Sequence, residues 1–141
     1  MDVEAVKTDM IIVGAGPVGL FAVFEAGLLG LKCHLIDNLD RPGGQCTELY
    51  PEKPIYDIPA RPKVTGQELV DDLMIQCSPF DPVFHLNQQA EELVKLADGN
   101  WRMTTSVGEV IVAPIVVVAA GAGSFVPKKP KYPDLEIYED K

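Results

Sequence analysis

Three glycines in G-x-G-x-x-G spacing lie in the stretch MIIVGAGPVGL, at Gly14, Gly16 and Gly19. Between a strand and a helix, this spacing brings backbone N–H groups against a pyrophosphate at the helix N-terminus. Gly14 allows the tight turn, Gly16 lets the backbone approach the phosphates, and Gly19 lets the helix pack against the sheet. Pro17 suits the first helical turn, where a missing N–H costs nothing. The spacing predicts a dinucleotide site.

An acidic residue downstream limits which dinucleotide the site can bind. Asp37 ends the next apolar segment, where a carboxylate can accept hydrogen bonds from both hydroxyls of a ribose. The residues that follow are Asn38, Leu39 and Asp40, so no basic residue directly follows Asp37 to bind a 2′-phosphate, and the Asp37 carboxylate would repel one. NADP is therefore disfavoured at this site, and NAD and FAD both remain open.

The elements that hold these residues form a β-α-β unit. DMIIVGA (9–15) is a branched apolar run typical of a parallel strand buried on both faces. PVGLFAVFEAGLLG (17–30) reads as a helix that Gly30 can end, and its apolar residues on most sides predict a helix buried all round. KCHLID (32–37) is the second strand.

Further elements follow an irregular segment, 38–63, which is rich in proline, glycine and charge. Thr65 and Glu68 form a capping box at the start of a helix that SPFDP breaks. VFHL (83–86) is a short third strand, and three segments with turns at DGN and VGE predict an antiparallel meander: QQAEELVKLA, WRMTTSV and EVIVA.

The last apolar run completes the predicted fold. PIVVVAAGAG (114–123) indicates another buried parallel strand that runs into a glycine turn. The sequence thus predicts an α/β fold, a Rossmann-like parallel sheet with flanking helices and a three-stranded antiparallel β-meander. His34 and His85 fall within strands, where a core or edge position is expected.

Composition excludes several classes of function. The 141 residues carry a net charge of −9, which argues against nucleic-acid binding. No apolar run is long enough to cross a membrane, the segment MDVEAVKTD does not resemble a signal peptide, and no metal-ligand spacing occurs. Three cysteines without a C-x-x-C pair favour a reducing, cytoplasmic location.

A second glycine motif extends the interpretation from NAD toward FAD. Gly43-Gly44-Gln45 stands in RPGGQC, and VVVAAGAGS (116–124) comes near the end of the chain. Together with GAGPVG they resemble the two-dinucleotide flavoprotein superfamily, which includes thioredoxin reductase. The resemblance implies FAD, with its pyrophosphate on the first glycine turn, its flavin end near Gly44 and Gln45, and a further contact at Gly121.

The segment LYPEKPIYD is similar to that of thioredoxin-reductase-like ferredoxin–NADP reductases. This resemblance covers essentially the whole chain. It implies FAD contacts at Asp37, Gln45, Tyr50, Ala90 and Phe125. Tyr50 would supply a ring and a hydroxyl at the flavin end, and the strand at Ala90 would offer its backbone to adenine.

Cysteine positions separate members of the superfamily. Glutathione-reductase-like members carry two cysteines five positions apart after the glycine pair, whereas this chain has Cys46 and then Pro51. That dithiol cannot form, so Cys46 is expected to be an ordinary small residue near the cofactor. Thioredoxin reductases carry C-x-x-C in their NADPH domain, so a thioredoxin-reductase-type disulfide reductase stays open as an alternative.

The resemblance also implies a domain plan. Residues 1–125 are expected to be the N-terminal segment of a split FAD-binding domain, and residues 126–141 a linker toward a missing NADPH-binding domain. The implied partners are NADPH and ferredoxin or flavodoxin, with a homodimer as the full-length protein. No side chain suggests a catalytic acid or base. Because the sequence has no second G-x-G-x-x-G for the hydride donor, the isolated chain is expected to be inactive. A stand-alone nucleotide-binding module with no catalysis of its own is the second alternative.

Overall fold

The computed structural model describes residues 4–124, so Phe125 and the predicted linker 126–141 lie outside the described residues. The elements, in chain order, are β1 (Val6–Lys7), β2 (Met10–Val13), α1 (Pro17–Leu28), β3 (Cys33–Ile36), α2 (Gln45–Glu48), β4 (Pro54–Ile55), β5 (Val64–Thr65), α3 (Gly66–Cys77), a 3-10 turn (Ser78–Phe80), β6 (Val83–His85), β7 (Ala90–Lys95), β8 (Trp101–Thr105), β9 (Val110–Ala113) and β10 (Ile115–Val118).

A parallel sheet forms the centre of the fold. Its strand order is β10-β2-β3-β6, with every neighbouring pair parallel. Successive side chains of a strand point to opposite faces. Ile11 and Ile12 of β2 are both fully buried, so this strand has packed layers on its two sides, as the continuous apolar run predicted.

Helices α1 and α3 cover one face of the sheet. Leu20 and Val23 of α1 and Val70 of α3 pack there with Ile12 and Leu35. The predicted capping box of α3 is present, since Thr65 accepts from the N–H of Glu68 while the Glu68 carboxylate accepts from the N–H of Thr65. The helix boundaries thus follow the sequence signals.

The antiparallel meander covers the other face. Strands β7, β8 and β9 pair in sequence, as predicted, and Met103, Ile111 and Ala113 pack against Ile11 and Ile36. A fourth strand, β1, pairs in parallel with β9, which no pattern in the sequence indicated. The fold is therefore three layers, with helices, a parallel sheet and an antiparallel sheet.

Two burial predictions are wrong. Helix α1 is not buried all round, because Val18 and Leu28 are 70% and 62% exposed on the side away from the sheet. Strand β10 is not fully buried either, because it is the edge strand and Val118 is 74% exposed. An apolar pattern shows that a segment favours burial, but whether it is buried depends on which other elements pack against it.

Candidate functional site

The first glycine turn lies where β2 ends and α1 begins. Gly14 has a φ of +105°, and a Cβ built there would overlap the carbonyl oxygen of Ala119, which follows β10. A Cβ on Gly19 would overlap the carbonyl oxygen of Gly14, so this glycine permits the first turn of α1 to lie against the β2–α1 turn. Both positions need glycine for the packing of the protein itself.

Gly16 differs from its two partners. Its φ of −74° is open to any residue, and a Cβ built there would meet only the Cα of Gly44, at 4.0 Å. The space before α1 is therefore free for a ligand. Pro17 is the first residue of the helix, as predicted, and no side chain caps this end. The first-turn N–H groups and the positive end of the helix dipole can thus face an anion.

Asp37 ties the second strand to this turn. Its Oδ2 accepts a hydrogen bond of 2.7 Å from the N–H of Ala15, and its Oδ1 accepts one of 3.0 Å from the N–H of Leu39. A carboxylate has about four acceptor sites, so two remain for the hydroxyls of a ribose. The predicted ribose acid is therefore fixed in orientation before any ligand arrives.

The second glycine pair is attached to the first turn. Gly43 and Gly44 have φ values of +123° and +56°, and the N–H of Gly43 donates to the carbonyl oxygen of Ala15 at 2.9 Å. Thr47 is buried behind the pair, and its hydroxyl donates to the carbonyl oxygens of Pro42 and Gly44. The sequence alone did not single out Thr47, although it follows the glycine pair in a predicted cofactor segment.

Gln45 and Tyr50 are adjacent at the far end of this segment. Gln45 is the first residue of α2, a short helix that was expected to be irregular chain, and the Tyr50 hydroxyl donates to its Oε1 at 3.2 Å. The Tyr50 ring is partly exposed, with the ammonium of Lys53 at 5.1 Å from its centroid. The two residues predicted for the flavin end therefore do come together.

A cavity of about 610 Å³ joins these parts, within the size range of cofactor sites. Gly19 lies behind the glycine turn rather than on the wall, and Tyr50 stands next to Gln45 rather than on the wall. Phe125 lies outside the described residues. The predicted residues that line the cavity are Gly14, Gly16, Pro17, Asp37, Gly44, Gln45, Ala90 and Gly121.

Several lining residues were not predicted. Leu39, Gln88 and Gln89 belong to the wall near Asp37, and Leu49 belongs to the wall near Gln45. The position of Gln88 and Gln89 just before Ala90 was the available signal, but nothing in their residue type points to a nucleotide. Their placement depends on how β6 lies beside β3, which is a tertiary feature.

The chemistry of the side chains around the cavity is modest. Burial raises the pKa of the Cys46 thiol, so the residue lacks the thiolate character that nucleophilic chemistry requires. Among residues 4–124, no group of three or more histidine, cysteine or acidic side chains could hold a metal ion. No helix in the same range has the length and apolar character needed to span a bilayer. The site is built to hold a ligand.

Comparisons with known proteins agree with this geometry. Residues 12–71 match the family model of an NAD(P)-binding Rossmann-like domain. The chain is 62% identical, over all 141 residues, to a ferredoxin–NADP reductase of Parvibaculum lavamentivorans, and covers 41% of that protein. A second ferredoxin–NADP reductase, from a Bradyrhizobium species, is 60% identical over 136 residues and is covered to 40%.

A solved structure has the same fold. The thioredoxin reductase from Streptococcus pyogenes superposes with a TM-score of 0.71 at 20% identity, covering 96% of this chain and 41% of that one.

The chain spans about two fifths of the length of the curated relatives it matches. Over its whole length it is homologous to the N-terminal part of the ferredoxin–NADP reductases, as the resemblance in its sequence predicted.

Proposed function

We propose that residues 1–125 form the FAD-binding part of a flavoprotein oxidoreductase. The parent enzyme moves electrons between NADPH and ferredoxin, or flavodoxin, in the cytoplasm. The names of the close relatives support the ferredoxin–NADP reductase activity. Residues 126–141 then form the linker toward an NADPH-binding domain, and the full-length protein is a homodimer.

The observation that carries the FAD assignment is the contact between the two glycine segments. The N–H of Gly43 donates to the carbonyl oxygen of Ala15, and Gly16 and Gly44 lie next to each other on the cavity wall. A ligand on the first turn can therefore continue past Gly44 to Gln45. A dinucleotide that has a reactive group beyond its pyrophosphate fits this arrangement, and FAD is the one that the sequence resemblance implies.

The proposed ligand has three contact regions. Asp37 accepts the ribose hydroxyls, and the backbone at Ala90 meets the adenine. The N-terminus of α1 receives the pyrophosphate, with Gly16 leaving room for it. Gln45, with Tyr50 hydrogen-bonded to it, meets the ribityl chain or the flavin. Each region uses a group whose position is set by hydrogen bonds or packing within the described residues.

The chain's own residues hold and orient the cofactor. When bound, FAD supplies the hydride and single-electron chemistry, while the protein supplies position and electrostatics. The Asp37 carboxylate would repel a 2′-phosphate, so NADPH is proposed to bind in the further domain rather than in this cavity. Among the described residues, the acid that lines the cavity beside Gln45 is Glu48, which pairs with Arg41 at 3.3 Å, so no catalytic side chain is assigned.

The experiment is a comparison of electron acceptors. The full-length protein that carries these residues should oxidise NADPH with ferredoxin or flavodoxin as acceptor, and the 141-residue chain should not oxidise it with any acceptor. Reduction of thioredoxin by the full-length protein would favour the disulfide-reductase alternative instead. Turnover of NADPH by the 141-residue chain would contradict the proposed division of the cofactor sites.

A further inference from the structure

Three side chains form a continuous hydrogen-bonded network beside the cavity. Nδ1 of His34, on β3, lies 2.9 Å from Nε2 of His85, on β6. Nδ1 of His85 lies 2.6 Å from Oε2 of Glu109, in the turn before β9. The side-chain amide of Gln88 lowers the pKa of the Glu109 carboxyl. The network thus joins the parallel sheet to the meander.

The direction of each bond follows from the chemistry of the groups. An ionised carboxylate only accepts, so Nδ1 of His85 carries a hydrogen and donates it to Glu109. Nε2 of a neutral His85 is then an acceptor, and Nδ1–H of His34 donates to it. Glu109 therefore anchors the pair of histidines through His85.

The same two residues hold Asp37 by their backbones. The N–H of Asp37 donates to the carbonyl oxygen of His85 at 3.0 Å, and the N–H of Gln88 donates to the carbonyl oxygen of Asp37 at 3.0 Å. His85 and Gln88 therefore hold the backbone of Asp37 from both sides, and the side chain of His85 bonds Glu109. Ala90 comes two residues after Gln88, and both line the cavity.

We propose that Glu109 is a positioning residue for the adenosine end of the cofactor site. By holding the side chain of His85 it fixes the start of the chain between β6 and β7, and through that segment the Asp37 carboxylate and the Ala90 backbone. This inference rests on the proposed nucleotide function of the cavity. Glu109 itself does not line the cavity, so its effect on the ligand is indirect.

The exposure of Glu109 separates positioning from core packing. Its side chain is 45% exposed, whereas that of His85 is 10% exposed. Truncating Glu109 therefore opens no core cavity. It leaves the N–H of the nearly buried His85 imidazole without an acceptor, and an unsatisfied buried donor is destabilising. The predicted response is a shift of the 86–90 segment rather than a loss of the fold.

The network tolerates a limited number of protons. With one imidazolium the 2.9 Å contact still pairs an N–H with a lone pair, but two imidazoliums would bring two N–H groups face to face there. Burial lowers the pKa of His34 and the neighbouring His85 lowers it further, while Glu109 raises it. On the other side of His34, β2 contributes Ile11, which carries no charge. Acidification should therefore open the network and weaken the adenosine site.

The first test uses ADP as the probe, since it carries the adenosine and diphosphate of FAD. Calorimetric titration of the 141-residue chain at pH 8 should give an ADP dissociation constant about tenfold higher for Glu109→Ala than for wild type. Glu109→Gln should recover to within about threefold of wild type, because an amide oxygen still accepts from His85. Glu92→Ala removes the same charge from an exposed site on the same sheet and should change nothing.

The outcomes distinguish the positioning role of Glu109 from the nucleotide function of the cavity. If wild type binds ADP and Glu109→Ala binds it equally well, the positioning role is wrong and the nucleotide site stands. An equal loss of ADP affinity in Glu92→Ala would mean that the change in net charge causes the effect, and it would also overturn the positioning role. If wild type binds neither ADP nor FAD, the proposed function fails, and this inference fails with it.

The second test needs no variant and so does not depend on the folding of one. The chain has two histidines, whose ring protons can be followed by NMR against pH. If ADP prefers the network without the second proton, saturating ADP must lower the midpoint of the acid titration of His34, because linkage is reciprocal. A midpoint that ADP leaves unchanged would overturn the coupling between Glu109, the histidines and the site.

Discussion

The carboxylate of Asp37 accepts a hydrogen bond from the backbone N–H of Ala15 at 2.7 Å, across 22 residues of sequence. The acid at the end of β3 thereby fixes the glycine turn at the end of β2. The residue proposed to recognise the ribose also holds the phosphate-binding turn in shape. Removing it should therefore affect the empty protein as well as the complex.

Asp37→Asn tests this double role. An asparagine keeps one acceptor oxygen and turns an N–H₂ group toward one of the two backbone donors, so the free energy of unfolding should fall by about 1–3 kcal/mol. FAD affinity should fall by about tenfold or more. Urea denaturation and flavin-fluorescence titration measure the two effects. Asp40→Asn, at an exposed neighbouring acid, is the matched control and should leave both unchanged.

Two glycine variants should separate folding from ligand binding. In Gly19→Ala the new Cβ overlaps the Gly14 carbonyl oxygen, so the backbone must shift and the protein should lose several kcal/mol of stability, on the order of an overpacked core. In Gly16→Ala the new Cβ has room, so stability should change by about 1 kcal/mol or less. The same methyl group would point at the pyrophosphate, and FAD retention should be lost.

Thermal unfolding of the two variants without ligand, followed by FAD titration of whichever folds, is the measurement. The expected pattern is a destabilised Gly19→Ala and a stable, non-binding Gly16→Ala. A Gly16→Ala protein that binds FAD like wild type would mean that the pyrophosphate does not lie at this turn.

The pH dependence of stability follows from His34. Burial and His85 lower its pKa below the ordinary 6.5, so the unfolded chain binds a proton that the folded chain resists. The free energy of unfolding should be flat between about pH 7.5 and 8 and should fall as the pH drops through 6.5 toward the lowered pKa of His34. His34→Asn should flatten this part of the curve in urea titrations. A stability that rises on acidification from pH 7.5 to 5.5 would contradict the network.

Cys46 should be chemically dispensable. Burial raises the pKa of its thiol, and the other two cysteines, Cys33 and Cys77, are buried in the core. Cys46→Ser should retain FAD as wild type does, and iodoacetamide should modify Cys46 slowly at pH 7. Gln45→Ala, one residue away, should instead weaken FAD binding. Rapid alkylation of Cys46, or loss of electron transfer in Cys46→Ser in the full-length protein, would revive a thiol mechanism.

Local signals in the sequence predicted much of the fold. The capping box at Thr65 and Glu68, the glycine at the end of α1, and the turns of the meander each depend on residues within four positions of one another. The parallel strands were recognisable because residues such as Ile11 and Ile12 follow each other without a polar break, as burial on both faces requires. These features need no knowledge of the rest of the chain.

Features that depend on distant partners could not be predicted. Strand β1 has only two residues and exists because β9 offers it an edge. The exposed side of α1 looks the same in sequence as its buried side. In the site, Asp37, Gly44 and Gln45 were predicted from motif and resemblance, whereas Glu109 gains its position from its contact with His85, 24 residues away.

We propose that this chain holds FAD rather than a nicotinamide nucleotide. To test this directly, the purified 141-residue chain is incubated with equal concentrations of FAD, NAD and NADP, free ligand is removed by gel filtration, and the bound ligand is identified by visible absorption and chromatography. A yellow protein that carries FAD, and that loses it in Gly16→Ala, is expected. Retention of NAD without flavin absorption would show that the FAD assignment is wrong.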